Sequence, residues 1–178
     1  MIVALIGLCK DLKMMRTRHL FGALALASLA ALLFAYALEY IGGLMPCPLC
    51  IFQRVAMFAL FVVSLVGWLH NPAVAGRAIY GGLAVLAGGA GAAIAARHVW
   101  LIHLPPDQVP ACGPGLDYLV QVMPLSDVMA TVLRGDASCA TVKASFLGLS
   151  LPAWTLAVFG VLTLFAIVGL IRGPAPGR

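Results

Sequence analysis

Two cysteines stand three positions apart in Met45-Pro46-Cys47-Pro48-Leu49-Cys50-Ile51-Phe52-Gln53-Arg54. A Cys-x-x-Cys pair serves thiol–disulfide exchange, half of a zinc site, or a static structural disulfide. Haem attachment is excluded, because Ile51 rather than His follows the second cysteine. If a helix begins near Cys50, Gln53 and Arg54 fall on the same face as that cysteine. At about 1.5 Å per residue, Arg54 then lies about 6 Å further along the axis. A helix N-terminus and a nearby cation both favour thiolate over thiol, which makes Cys50 the candidate reactive sulfur. An arginine just inside an apolar helix is costly and points to function. Its expected partner is Cys50 together with an electron acceptor.

The elements that must position this pair are membrane spans. Of 178 residues, 63% are apolar and 10% charged, which describes a polytopic membrane protein rather than a soluble domain. Four apolar runs, residues 20–38, 51–69, 78–96 and 151–171, approach the ~20 residues that a bilayer requires. The net charge of +5 belongs to membrane topology and does not imply a nucleic-acid partner. Lys10, Lys13, Arg16 and Arg18 precede the first run, Arg77 lies between the second and third, and Arg172 and Arg178 follow the fourth. The positive-inside rule puts those residues and both termini on the cytoplasmic side. The expected organisation is one integral membrane domain over residues 1–178, with outer loops at 39–50 and 97–150 and lipid around the spans. Cys47, Cys50, Cys112 and Cys139 then face the oxidising side and Cys9 the reducing side, a distribution that suits disulfide chemistry better than zinc.

Met1 to Arg18 reads as a cytoplasmic lead-in, with Met14 and Met15 as further candidate starts and Cys9 as an unpaired bystander. Ala35-Tyr36-Ala37 resembles a signal-peptidase site, but the first apolar run exceeds the usual signal core, so an uncleaved helix is expected. Gly42, Gly43, Pro46 and Pro48 disfavour regular structure before the second span. His70 reads as interfacial. The third span holds Gly81, Gly82, Gly88, Gly89 and Gly91, which permit either close helix packing or a slot for a flat ring. At its outer end, Arg97, His98, Trp100 and His103 form either an aromatic belt with snorkelling cations or a set that reaches the acceptor site of Arg54.

The long connection 97–150 is expected to be functional. Leu125, Val128, Met129, Val132 and Leu133 make an i, i+3, i+4, i+7, i+8 stripe, with Ser126 as the expected N-cap and Gly135 as the stop. This predicts a short amphipathic helix lying flat on the outer membrane surface. Cys112 and Cys139 bracket it, as a second, rearrangeable pair would. No internal repeat or low-complexity segment is present.

Cys47-Pro-Leu-Cys50-x-x-x-Arg54, Cys112-Gly-Pro-Gly, Cys139-Ala, Arg97-His98, Pro124-Leu125-Ser126 and Phe146-Leu-Gly-Leu-Ser150, set among four spans, resemble the disulfide bond formation protein B (DsbB) family. The resemblance runs from about residue 20 to 171. It implies an all-α membrane protein, a four-transmembrane-helix bundle with a horizontal amphipathic helix in the second periplasmic loop. It further implies a bacterial inner-membrane enzyme that reoxidises a periplasmic, DsbA-like thioredoxin-fold oxidase and passes electrons to quinone (ubiquinone or menaquinone), sustaining periplasmic protein folding. By motif position, Cys47 and Cys50 would be the quinone-side pair, with Cys50 facing the ring. Cys112 would take the mixed disulfide from the partner, and Cys139 would exchange with Cys47. Arg54 would assist the quinone, with His98 and Arg97 on the same side. No metal is implied. Gln53 stands where an acidic residue can precede the arginine, and Ala144 where an aromatic residue often stands. Neither is expected to touch the sulfur chemistry.

Energetics call for a sink more oxidising than an ordinary dithiol; quinone is what the resemblance implies. Strongly oxidising periplasmic dithiol oxidases have a reference potential near about −120 mV, a value for that class and not one read from this chain. Dithiols below about −200 mV would need ~4 kcal/mol to reoxidise such a protein. The competing readings are distinguishable. A reductant-conducting protein would place cysteines within its spans, two inert disulfides would leave Arg54 unexplained, and a zinc site would hold metal without exchanging with a partner.

Overall fold

The computed structural model describes residues 2–105, 107–109, 113, 115–135, 137–140, 145–146 and 148–172, with side chains from Arg18 onward except at 145, 146 and 172. Helix α1 spans Ile2–Tyr40, α2 Pro48–His70, α3 Val74–Ile102 and α7 Leu151–Arg172, with α4 (Leu116–Val122), α5 (Leu125–Arg134) and α6 (Ala137–Ala140) between α3 and α7. The segments Arg18–Tyr40, Pro48–His70, Val74–Ile102 and Leu151–Ile171 are each long and apolar enough to cross a membrane, so the chain is a multi-pass, all-α membrane bundle. A two-residue hairpin, β1 (Ser145–Phe146) with β2 (Leu149–Ser150), pairs antiparallel just before α7. The hydropathy pattern gave no sign of it, since two-residue strands are too short to show a period.

Each long helix starts or stops for a local reason. Pro48 occupies the first helical position of α2, where its missing N–H is not needed and its fixed φ is already helical. Asn71 ends α2 in the left-handed conformation (φ 42°), with its N–H donating to the Gly67 carbonyl at 3.2 Å. The buried Arg77 guanidinium donates to the Pro72 carbonyl at 3.0 Å and fastens the α2–α3 turn. His70 pairs with the Tyr80 hydroxyl across that turn, with 3.0 Å between Nδ1 and the oxygen. Helix α3 continues through Arg97 and His98 to Ile102, beyond the apolar run at 78–96, because no proline or glycine interrupts it before Pro105.

The bundle is knitted by small residues. On α3, Cβ atoms at Gly81, Gly88 and Gly91 would meet Leu170, Thr163 and Phe159 of α7, whereas positions 82 and 89 have open space. The glycine face of α3 therefore serves close packing against α7 at 81, 88 and 91. The central core contains Leu24 and Leu32 of α1, Met57 and Leu60 of α2, Ala84 and Ala95 of α3, and Phe159, Leu162 and Ala166 of α7. A second buried cluster joins Cys47, Leu49, Leu101, Leu119, Val128, Val132 and Cys139 at the end where α2 begins and α3 ends.

Gly91 and Gly89 provide a matched test of this packing. Gly91→Val forces a side chain into the Phe159 ring and is expected to lower stability by about 1–3 kcal/mol. Gly89→Val, facing open space, is expected to change it by about 0.5 kcal/mol or less. Thermal unfolding of the two purified variants in the same detergent separates them.

Candidate functional site

The turn into α2 sets the first pair. Cys47 is the N-cap residue in extended conformation (φ −74°, ψ 164°), and its carbonyl accepts the Ile51 N–H at 3.2 Å. The helix begins at Pro48, two residues earlier than the spacing argument assumed, so Cys50 lies within the first turn among N–H groups that have no intrahelical partner. The two sulfurs are 3.2 Å apart. Cys47 is buried and Cys50 half-buried.

His98 of α3 is fully buried against this turn, at 0% exposure. Its Nε2 lies 3.8 Å from the Cys47 sulfur and its Nδ1 3.9 Å from the Cys50 sulfur. The buried Gln53 amide nitrogen donates to Nδ1 at 3.3 Å, and Nε2 is 3.1 Å from the Cys139 carbonyl oxygen. With an amide N–H facing Nδ1, a neutral ring carries its proton on Nε2 and donates it to that carbonyl. Gln53, expected to stay clear of the sulfurs, is thus a direct partner of the ring that touches both of them. Its place on the cysteine face of α2 was the available sign.

Cys139, on the short helix α6, is buried in the same cluster as Cys47. The Cys47 thiol is pushed up from its ordinary range by hydrogen bonds to Cys139 and Cys50 and by burial. Three sulfurs share one small, largely dry volume, and each further negative charge there is costly. Cys112 lies outside the described residues, as does the side chain of Cys9.

Helix α5 delivers α6 to this place. It starts at Leu125 with Pro124 as its N-cap residue, so Ser126 falls inside the first turn, and Gly135 (φ 80°) ends it as expected. Its apolar stripe divides. Val128 and Val132 enter the sulfur cluster, while Leu125, Met129 and Leu133 remain exposed.

The two arginines go separate ways. Arg54 forms an ion pair with Glu39, donates to the Ala35 carbonyl at 3.1 Å, and lies 4.9 Å from the centre of the Tyr36 ring. Glu39, at the C-terminal end of α1, was not foreseen as its partner. Arg97 turns away from the sulfurs. It donates to the Leu133 and Arg134 carbonyls at 3.1 and 3.0 Å, and its guanidinium lies 4.1 Å from the centre of the Trp100 ring.

Ligating atoms of Cys47, Cys50 and His98 lie within 4.8 Å of one another, which also suits a metal ion. Both ring nitrogens already have polar neighbours, so a metal ion would have to displace either Gln53 or the Cys139 carbonyl.

The sequence model of the family described as "Disulfide bond formation protein DsbB" matches residues 17–169. The chain belongs to the DsbB family. It is 53% identical over 140 residues to Disulfide bond formation protein B of Chromohalobacter salexigens, covering 78% of this chain and 81% of that one. It is 48% identical over 156 residues to the protein of the same name from Acinetobacter baylyi, covering 87% and 91%. With that of Marinobacter nauticus the identity is 43% over 162 residues, covering 91% and 96%. Within this DsbB-family bundle, described cysteines from the α1–α2 connection and from the stretch between α3 and α7 meet beneath one histidine.

The shift at Cys47 has a readable consequence. Alkylation requires the thiolate, so in the reduced protein Cys47 should react slowly at pH 8. Its rate should keep rising with pH beyond the ordinary thiol value of about 8.5. Cys139→Ala removes the largest cause of the shift and should move the profile toward ordinary values. Mass spectrometry of iodoacetamide-labelled peptides across pH gives both profiles.

Proposed function

We propose that this protein is a quinone-dependent thiol oxidase of the bacterial inner membrane, with both termini cytoplasmic and its four outer cysteines periplasmic. It reoxidises a DsbA-like thioredoxin-fold oxidase by disulfide exchange. The observation that carries this reading is the burial of Cys139 in one cluster with Cys47, its carbonyl on the histidine that contacts both sulfurs of the first pair. Family membership supports the disulfide-forming oxidoreductase chemistry.

The exchange balances without an outside reagent until its last stage. A thiolate of the reduced partner attacks Cys112 of a Cys112–Cys139 disulfide, forming a mixed disulfide and releasing Cys139 as thiolate. Cys139 attacks the Cys47 sulfur of the Cys47–Cys50 disulfide, and Cys50 leaves as thiolate. The partner's second thiolate closes its own disulfide and frees Cys112, which then takes Cys139 back from Cys47. The partner leaves oxidised, and Cys47 and Cys50 remain as a dithiol carrying two electrons.

The donor set beside Cys50 fits a quinone, whose carbonyl oxygens accept hydrogen bonds and whose ring is flat and apolar. Arg54 is the group that would hold it, with Tyr36 supplying an aromatic face beside it, while the buried His98, both ring nitrogens engaged, acts on the cysteines instead. A quinone bound there supplies a two-electron acceptor. Glu39 offsets the Arg54 charge in the apolar span and fixes where its N–H groups point. His98 holds Cys47 and Cys50 together from one side, while Gln53 and the Cys139 carbonyl orient its ring.

Purified protein given quinone and a reduced thioredoxin-fold dithiol should form quinol, read as a change in quinone absorbance. Cys50→Ser should abolish it. Arg54→Ala should slow it about tenfold or more, the scale of a lost charge-assisted hydrogen bond. Absence of quinone reduction by folded, oxidised wild type would overturn the oxidase reading. Stoichiometric zinc in the same preparation would favour the metal reading.

A further inference from the structure

Arg97 and His98 are neighbours on α3, yet they grip opposite ends of one short segment. Arg97 takes the Leu133 and Arg134 carbonyls, and His98 takes the Cys139 carbonyl. One turn further along α3, Leu101 fills the space beside Gly135, where a Cβ would strike it. We propose that Arg97 is a positioning residue for disulfide exchange, docking the end of α5, and with it α6, on α3 so that the Cys139 sulfur is delivered to Cys47.

The chemistry of the contact suits this task. The last carbonyls of a helix have no intrahelical donor and carry the negative end of its dipole, so a guanidinium there is favourable. The planar guanidinium donates to two successive carbonyls at once, which fixes direction as well as distance. The Trp100 ring supports its other face. Among the described residues the Arg97 guanidinium donates to backbone carbonyls, and the one ion pair is Arg54–Glu39.

Position matters here because Cys139 must serve two partners. When docked it meets Cys47, and in the proposed cycle it also bonds Cys112. A segment held only by the Cys139 carbonyl would let α6 pivot, and the local concentration of the Cys139 sulfur at Cys47 would fall. Arg97 therefore biases Cys139 toward Cys47 without touching either sulfur. This inference rests on the exchange path proposed above, but its test needs neither quinone nor partner.

The experiment starts from protein carrying Cys9→Ser, Cys50→Ser and Cys112→Ser, which leaves only Cys47 and Cys139. Equilibration in glutathione redox buffers, followed by thiol alkylation and mass analysis, gives the effective concentration of that pair. Arg97→Ala should lower it about tenfold or more, and Arg97→Lys, with one compact ammonium, should recover part of the loss. A companion protein carrying Cys9→Ser, Cys112→Ser and Cys139→Ser reports Cys47 with Cys50, which Arg97→Ala should leave within about twofold, since the two sulfurs share one helix turn. An unchanged Cys47–Cys139 value would overturn the proposal. So would an equal fall in both pairs, because that marks a general loss of structure. Failure of quinone reduction would leave this measurement intact, so the two readings fail separately.

Discussion

A buried imidazole holds this site together. His98 sits at zero exposure and contacts both sulfurs of the first pair, the Gln53 amide and the Cys139 carbonyl. Those partners come from the N-cap of α2, its first two turns, and α6. Leaving one polar atom of such a ring unsatisfied costs about 1–3 kcal/mol, so the partners are constrained to meet it. The requirement runs outward through the fold. Helix α3 must extend past its apolar stretch to carry the ring, α2 must start at Pro48 to present both sulfurs, and α5 must end at Gly135 to turn α6 inward.

The close packing of α3 and α7 makes that extension useful. Gly81, Gly88 and Gly91 bring the two helices together along their length, and Arg77 fastens the opposite end of α3 to the α2–α3 turn. A long helix seated this firmly behaves as a rod. Its outer end can then serve as a fixed platform on which three residues of little more than one turn, at 97, 98 and 101, receive the loop.

The four spans were legible because water and lipid impose a strong, one-dimensional signal, and the bounds at 20–38, 51–69 and 151–171 fall inside the observed helices. The third run was underestimated at its outer end. Hydropathy falls at Arg97-His98, but a helix stops at a breaker, and none arrives before Pro105. The cysteine pair was legible from residue type and spacing, and the stop of α5 from Gly135. Partner choice was less accessible. Arg54 was matched to Cys50 by helical spacing, whereas the fold offers it a carboxylate at Glu39 from another helix. Arg97 and His98, read as one group, point in different directions because adjacent helical residues differ by about 100° around the axis. Gln53 was discounted as a family-level departure, although the cysteine face of α2 carries it straight to the histidine.

The contrast between rod and loop suits the chemistry proposed for the site. Apolar burial and interlocking glycines give the spans contacts that no step of disulfide exchange disturbs. The segment bearing Cys139 is attached mainly by α5 valines and by hydrogen bonds to backbone carbonyls, from Arg97 and His98. Such bonds are worth about 0.5–1.5 kcal/mol each, rising to about 1.5–3 where a charge takes part. An attachment on that scale is directional enough to aim a sulfur and weak enough to release it within a catalytic cycle. In the proposed exchange, a deeper apolar anchor would hold Cys139 against Cys47 and stall its return to Cys112, and a looser one would leave it with Cys112. The segment is thus held by a small apolar cluster and by polar contacts to the end of α3, an attachment suited to the proposed exchange, in which a cysteine is placed but not fixed.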